Sequence, residues 1–350
     1  MTYLKTFIFL FVSLLIFSCG TQEKQKLYIY NWTDYISPDL LRKFEDLNDC
    51  TIVYDTYDSN ENMLTKVMHT QASYDIVFPS GDHVVFMIQK NLIEKLDKSK
   101  IPNYNNLSKS IMNKVSEYDS GAQYSIPYFW GTTGLIYNKR DIPEEKMKNV
   151  SWNILADKTF FNKNVVTMLD DARSVVGAAL IYSGYSLNDM SPEALSKAKT
   201  ALLEWDKNVS QYDSDSYKNE IQDGTTWLAQ AYNGDALQVI SQNEEVGFVL
   251  PVEGAELWID SFVILKNAEN KDLAYKFIDF MLDAENAKEN ADYVQYAVPN
   301  DAAFTLLDAE TKNDTIKYPS DKYLMKCSIL KNVGEEITEL NKIWEEIRNN

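Results

Sequence analysis

The chain has 350 residues, 45% of them hydrophobic, and a formal net charge of −18. This length allows one large core or two smaller ones, and we expect two lobes. Because phosphate backbones attract basic surfaces, the negative charge argues against a nucleic-acid partner and favours cationic ones.

Residues 1–18 have the features of a secretory signal peptide. Lys5 supplies positive charge, and residues 7–17 form an apolar run that is short for a membrane span. The segment that ends at Cys19 and Gly20 resembles the bacterial lipoprotein box, in which the cysteine is lipidated and becomes the mature N-terminus. This predicts a protein anchored through Cys19, in the periplasm or at the cell surface. An ordinary signal peptide with an incidental cysteine is the alternative.

The first part of the mature chain alternates between predicted strands and helices. We predict strands at residues 27–30, 51–54 and 74–78, and helices from Pro38 after the N-cap Ser37, over 61–70 and over 83–89. The helix faces expected to point inward consist of Leu40, Leu41, Phe44 and Leu47, and of Met63, Leu64, Val67 and Met68. Strand–helix alternation predicts parallel strands whose ends meet at one edge of a sheet.

The second part continues this pattern as a layered α/β fold. Strands are predicted at residues 125–128, 134–138, 165–169, 227–232, 247–250 and 257–265, and helices at 171–183, 192–205, 272–282 and 333–348. The helix after Ser191 has Leu195, Ala198, Leu202 and Leu203 on one side. No linker separates independent domains, so we expect one lobe of residues 26–130 plus 260–300 and a second of 131–259 plus 301–350, joined by crossing strands.

Signatures of enzymes, metals and cofactors are scarce in this sequence. His69 and His83 lie on predicted helices without a cysteine or carboxylate at metal-ligand spacing, and His69 is expected at the surface. No phosphate-binding loop, nucleophile elbow or zinc-protease motif occurs. We therefore expect a protein that is not an enzyme and needs no cofactor. Cys50 and Cys327 are expected to be two separate buried thiols.

Carboxylates and aromatic rings recur where predicted strands end. The first strand is followed by Asn31-Trp32-Thr33-Asp34-Tyr35. Ring faces attract an organic cation and a carboxylate pairs with its charge, so this composition favours a ligand that carries ammonium groups. Covering the end of a sheet is the alternative role for the two rings.

Further strand ends repeat the composition, each with an alternative. Asp170-Asp171 follows one strand, where helix capping is the alternative. Tyr232-Asn233-Gly234-Asp235 follows another, where an Asn-Gly turn is the alternative. Trp258 and Asp260 share one face of a strand because side chains alternate. Tyr296 supplies a further ring or belongs to the core.

The proposed set of carboxylates needs a counter-charge. Several carboxylates and rings on facing edges repel one another when buried, and each raises the pKa of the next. A ligand with two or three ammonium groups relieves that repulsion, whereas a neutral sugar does not.

Several segments, in the same order along nearly the whole mature chain, resemble the bacterial periplasmic spermidine/putrescine-binding proteins of polyamine uptake systems. The matching segments are Tyr30-Asn31-Trp32-Thr33-Asp34-Tyr35, Tyr74-Asp75-Ile76-Val77-Phe78-Pro79-Ser80, Leu96-Asp97, Tyr124-Ser125-Ile126-Pro127-Tyr128, Trp130-Gly131, Asp170-Asp171-Ala172-Arg173 and Trp258-Ile259-Asp260-Ser261. The resemblance implies a two-lobed periplasmic-binding-protein fold with hinge strands and a cleft between the lobes. It also implies a monomer that closes on a polyamine and delivers it to the permease of an ABC transporter.

The resemblance also assigns roles to individual residues. It implies aromatic walls from Trp32, Tyr35, Tyr232, Trp258 and Tyr296. It implies ammonium partners at Asp34, Asp171, Asp235 and Asp260, with hydrogen-bonding neighbours at Thr33 and Ser80.

The chain departs from the family pattern at places that affect selectivity. Ser174 stands where the family tends to carry a glutamate, and we expect the acidic Asp82 to replace it. Asp34 and Asp235 resemble the putrescine type, whereas Asp171 resembles the spermidine type, and the family's C-terminal glutamine has no clear match near residues 330–332. The pattern therefore predicts the polyamine class and leaves the particular polyamine open. A polyamine sensor, a binder of another cationic solute, and an exported glycosidase that uses Asp170-Asp171 are the rival interpretations.

Overall fold

The computed structural model describes residues 24–69, 74–160 and 163–350. The predicted signal peptide and the predicted lipidation site Cys19 lie outside these residues. Across the described ranges, no helix combines the length and the hydropathy that crossing a membrane requires.

One large mixed sheet organises the described part of the chain. Its nine strands are β1 Gln25–Trp32, β2 Cys50–Tyr57, β3 Ile76–Val77, β4 Ile126–Asn138, β5 Val166–Met168, β6 Val209–Tyr212, β7 Leu228–Tyr232, β8 Val246–Val249 and β9 Leu257–Ile264. Their order is β2-β1-β3-β9-β4-β7-β5-β6, and β8 pairs with β4. The pairs β1–β2, β1–β3, β5–β6 and β5–β7 are parallel, whereas β9 runs antiparallel to both β3 and β4. The predicted α/β class and the parallel arrangement of the first three strands are confirmed.

The long strand β4 corrects one prediction. The two strands predicted at residues 125–128 and 134–138 are a single strand of 13 residues, all of them buried. Its first half pairs with β9 and its second half with β7 and β8. Gly131 interrupts the apolar sequence pattern, but a Cβ at this position would lie 2.3 Å from Cζ2 of Trp258, so the indole ring takes the space of a side chain.

Helices cover the sheet and connect its strands. They are α1 Pro38–Asn48, α2 Asn60–His69, α3 Gly81–Gln89, α4 Lys109–Val115, α5 Glu144–Met147, α6 Ala172–Tyr182, α7 Pro192–Trp205, α8 Tyr217–Asp223, α9 Asn233–Gln242, α10 Lys271–Leu282, α11 Ala284–Val294, α12 Asp301–Leu306, α13 Ala309–Asn313, α14 Asp321–Leu324 and α15 Ile337–Arg348.

Three residues assigned to inward helix faces are exposed instead. The solvent-exposed fractions of Leu47, Met68 and Leu203 are 68%, 44% and 38%. The buried face of each of these helices is therefore narrower than predicted. The last helix begins at Ile337 rather than 333, because residues 334–336 form a tighter 3₁₀ turn. Ser37 precedes α1 as predicted, but its side chain makes no capping hydrogen bond.

Within the described ranges, buried apolar side chains form two large clusters and one small one. The first large cluster draws on β1, β3, β9, α10 and α11, and the second on β5, β7, α6, α7 and α15. The small cluster lies where β4 and β9 cross between them and includes Trp130 and Ile259. Cys50 and Cys327 are separate buried thiols, as predicted.

Candidate ligand-binding site

Asp260 lies on β9 with 6% of its surface exposed. Its Oδ1 accepts a hydrogen bond from the Ser80 hydroxyl at 2.7 Å, and its Oδ2 accepts one from the Tyr35 hydroxyl at 2.9 Å. Ser80 reaches this position because its backbone bridges to Asp260 directly before α3. Burial, aided by the charge of Asp82, raises the pKa of Asp260 to about 6 against the two hydroxyl donors. The result is a preorganised, desolvated carboxylate whose partners are neutral.

Asp235 is a second carboxylate held by two hydroxyl groups, and it is partly buried. It lies in the first turn of α9, where Oδ1 accepts from the Tyr296 hydroxyl at 2.7 Å and Oδ2 from the Tyr217 hydroxyl at 2.9 Å. The Asn-Gly turn considered from the sequence is absent here, because residues 233–242 are helical. Gly234 permits the contact, since a Cβ there would lie 2.3 Å from the Tyr296 ring.

Four of the five predicted wall residues form one continuous row of rings. The ring centroids of Tyr35 and Tyr296 lie 5.5 Å apart, those of Tyr296 and Trp258 4.9 Å, and those of Trp258 and Tyr232 6.0 Å, all at steep angles. Such edge-to-face contacts hold the rings rigidly. Because Tyr35 binds Asp260 and Tyr296 binds Asp235, the row connects the two carboxylates.

The fifth ring, Trp32, is held differently. It is the last residue of β1, so the strand ends two residues later than predicted. Its indole N–H donates to the carbonyl of Phe78 at 2.9 Å, and its ring tilts against Tyr57 at 4.6 Å. This half-buried ring therefore lies beside the row rather than in it.

Thr33 and Asp34 form an exposed turn after β1, with Asp34 at a left-handed φ of 54°. Asp34 acts electrostatically on Lys218 of α8. Burial lowers the pKa of Lys218, but the carboxylates of Asp235, Asp215 and Asp34 outweigh burial, so the pKa of Lys218 is raised overall. Because Asp34 and Asp235 both act on Lys218, Asp34 lies towards the Asp235 end of the site.

Asp171 adopts the capping geometry considered as its alternative role. It caps α6 by accepting a hydrogen bond from the backbone N–H of Ser174 at 2.9 Å. Burial raises its pKa, and the charges of Glu61 and Asp82 add to the effect. Its neighbour Asp170 turns away and pairs with Arg348 at 2.7 Å.

Asp82 already has a cationic partner. The His83 imidazolium donates from Nδ1 to Asp82 at 2.9 Å, and its Nε2 lies 3.6 Å from Glu61. Burial alone would lower the pKa of His83, but the carboxylates of Asp82 and Glu61 raise it to about 10. Burial alone would raise the pKa of Asp82, but the charge of His83 lowers it to about 2. His69 is exposed, as expected.

Glu256, directly before β9, is a buried acid that the sequence reasoning missed. It is 9% exposed, and its Oε2 accepts hydrogen bonds from the hydroxyls of Ser174 at 2.6 Å and Thr133 at 3.4 Å. Burial together with the charge of Asp171 raises the pKa of Glu256 to about 8. Strand alternation was the available signal, since residue 256 shares a face with Trp258 and Asp260.

Comparison with known proteins gives consistent relatives. Residues 39–319 match the family described as bacterial extracellular solute-binding proteins. A putrescine/cadaverine-binding protein of Pseudomonas aeruginosa is 34% identical over 333 residues, which cover 93% of this chain and 94% of the relative.

Solved structures agree with the sequence relatives. A spermidine/putrescine ABC transporter substrate-binding protein from Streptococcus pneumoniae superposes with a TM-score of 0.82 at 35% identity, covering 93% of this chain and 99% of that one. A lipoprotein of Treponema pallidum superposes with a TM-score of 0.83 at 32% identity, covering 93% and 100%. These likenesses confirm the two-lobed solute-binding fold predicted from the sequence. The chain belongs to the family of bacterial extracellular solute-binding proteins.

Proposed function

We propose that this protein captures a linear polyamine, spermidine or putrescine, outside the cytoplasm for uptake by an ABC transporter. The observation that carries the proposal is the pair of carboxylates, Asp260 and Asp235, each held by two hydroxyl donors and connected by a row of aromatic rings. In the described part of the chain, no basic side chain forms an ion pair with either carboxylate.

The chemistry of this pair favours ammonium groups over neutral solutes. Charge-assisted hydrogen bonds in a desolvated site are strong, and cation–π contacts add about 0.5–2 kcal/mol each. The carboxylates therefore supply most of the affinity, while the rings of Tyr35, Trp258 and Tyr296 fix the shape of the slot. Trp32, Thr33, Asp34, Ser80, Asp82, Asp171 and Tyr232 complete the proposed ligand-binding set.

We place the slot between lobes of residues 26–130 plus 260–300 and 131–259 plus 301–350. The two large apolar clusters support this division, since they follow it closely. Under it, the hydrogen bond from Tyr296 to Asp235 joins the lobes. A solute that binds both lobes favours closure by the difference between its affinities for the closed and open states.

The surroundings of the protein are inferred from its N-terminus and its relatives. We propose that the signal peptide is removed at Cys19 and that acyl chains on this cysteine tether a monomeric protein to the membrane. The relative from Treponema pallidum, named as a lipoprotein, supports the anchor. The relative named as an ABC transporter substrate-binding protein supports a permease partner.

We further propose that the protein is not an enzyme and binds no cofactor. The rival glycosidase would need Asp170 and Asp171 as opposed acid and nucleophile. Asp170 is instead paired with Arg348, and Asp171 caps a helix, which disfavours that role.

A thermal-denaturation screen tests the function. A ligand that binds only the folded protein stabilises it by about 2.7 kcal/mol at one hundred times its Kd. Putrescine, cadaverine, spermidine and spermine are screened beside glucose, lysine and choline. We expect a raised melting temperature with at least one polyamine and none with glucose. A rise restricted to lysine or choline would assign the slot to another cationic solute.

A further inference from the structure

We propose that Glu256 is a ligand-binding carboxylate of this cleft and that, together with Asp171, it holds a third ammonium group of the solute. The inference rests on the proposed function and deepens it, because a third ammonium subsite selects a triamine such as spermidine over a diamine.

Two hydroxyl groups fix the Glu256 side chain, but no cationic side chain of the described residues is paired with it. Both of its hydrogen bonds, from Ser174 and Thr133, end on Oε2. Among the described residues, none donates to Oε1, and no basic side chain forms an ion pair with this carboxylate. One oxygen is therefore fixed by the protein while the other is available to a ligand.

The charged groups around Glu256 are mostly of its own sign. Asp171 and Arg173 face it from the start of α6, and Asp82 faces it from α3. Arg173 is directed elsewhere, since it donates to Asn188 and to the carbonyl of Lys331. Burial and these neighbouring charges favour a proton on the pair formed by Glu256 and Asp171 when no ligand is bound. A bound cation would relieve the repulsion between the two ionised carboxylates.

Two unsatisfied polar atoms lie beside Glu256 and Ser174. In residues 24–69, 74–160 and 163–350, seven buried side-chain nitrogen or oxygen atoms lack a hydrogen-bond partner. Trp258 Nε1 belongs to the strand face that Glu256 shares, and Gln230, whose amide nitrogen donates to the carbonyl of Ser174, leaves its Oε1 unpaired. Buried polar groups are normally paired, so these two atoms indicate a place where a polar ligand or water completes the contacts.

The subsite continues the row of rings. Burial and then the charges of Asp171, Glu256, Asp235 and Asp260 raise the pKa of Tyr232, so its phenol lies within electrostatic reach of all four acids. Asp82 already pairs with His83, whereas Glu256 accepts the hydrogen bond of Ser174, so Glu256 lies where the acid missing at Ser174 would act.

Calorimetric titration at pH 7 tests this assignment. Wild type, Glu256→Gln and the exposed control Glu335→Gln are each titrated with spermidine and putrescine in phosphate and in Tris, whose ionisation heats differ. We expect Glu256→Gln to lower spermidine affinity at least tenfold and putrescine affinity less than threefold, with Glu335→Gln unchanged. Equal losses for both amines, or no loss, would overturn the third subsite.

Proton release provides a readout that needs no variant. Burial and the charge of Asp171 raise the pKa of Glu256, so a cation bound between these two acids should expel a proton from the wild type. Binding heats that are equal in the two buffers would contradict the assignment. If the wild type binds neither amine, the proposed function itself fails, whereas normal binding of both amines by Glu256→Gln removes only Glu256.

Discussion

Replacing Asp260 by asparagine should separate a ligand-binding carboxylate from a structural one. Burial raises the pKa of this group from 3.8 to about 6. At about 1.36 kcal/mol per pKa unit, ionising it in the folded protein costs about 3 kcal/mol of stability. The folded state binds this proton more tightly than the unfolded state does. The cost is therefore absent below pH 3.8, grows between pH 3.8 and 6, and is complete at pH 7.

The variant removes the charge but keeps the shape. Its amide nitrogen cannot accept one of the two hydroxyl donors, Ser80 or Tyr35, which costs about 1 kcal/mol. We expect the ligand-free variant to be more stable than wild type by about 2 kcal/mol at pH 7, and no more stable than wild type at pH 4, where the ionisation cost is nearly absent and the lost hydrogen bond remains. Its polyamine affinity should fall by about 3 kcal/mol, more than a hundredfold, because the charged partner of an ammonium group is lost.

Urea denaturation at pH 4 and pH 7, with and without spermidine, measures both effects. The matched control is Asp75→Asn, since Asp75 is also buried but accepts hydrogen bonds from the backbone N–H groups of Tyr28 and Asn270. This control should lose stability and keep its affinity. An Asp260→Asn protein that is less stable than wild type at pH 7 and still binds spermidine normally would refute the reasoning.

Three further predictions concern the slot and its field. Tyr35→Phe removes the donor to Asp260 at 2.9 Å, and the loss of a hydrogen bond to a charged group should lower the free energy of unfolding at pH 7 by about 1.5 kcal/mol in urea denaturation. An unchanged free energy of unfolding would contradict the role of this hydroxyl. Gly234→Ala places a Cβ 2.3 Å from the Tyr296 ring and should lower both the melting temperature and the affinity. Gly184→Ala has no atom within 4 Å of its Cβ, but its φ of 84° is left-handed, so this control should lower stability alone. Raising the salt from 50 to 500 mM should slow association in stopped-flow measurements, because the charge of −18 attracts polyamines at long range. A salt-independent rate would exclude such steering.

The order of strands and helices, and much of the slot, follow from local sequence patterns. Alternation along β9 placed Trp258 and Asp260 on one face, and the apolar run before residue 31 located the end of β1 to within two residues. These features depend on residues that are close together in the sequence, so the periodic pattern of apolar residues is sufficient to predict them.

The features that were missed depend on contacts between distant residues. Glu256 meets Ser174 across 82 positions, and no local pattern indicates that a helix and a strand supply the two halves of one contact. In the same way, His83 lies between Asp82 and Glu61, and Glu61 belongs to the preceding helix, so the sequence around His83 does not show this second contact. The single strand β4 was divided in the prediction, since the space over Gly131 is filled by a ring 127 positions later in the chain.

Isothermal titration of the wild-type protein with putrescine, cadaverine, spermidine and spermine measures whether Asp260, Asp235 and the rings between them bind ammonium groups. We expect saturable one-to-one binding of at least one of these amines at micromolar concentration or below, with spermidine tighter than putrescine. If none of the four amines binds, these residues do not form a polyamine site.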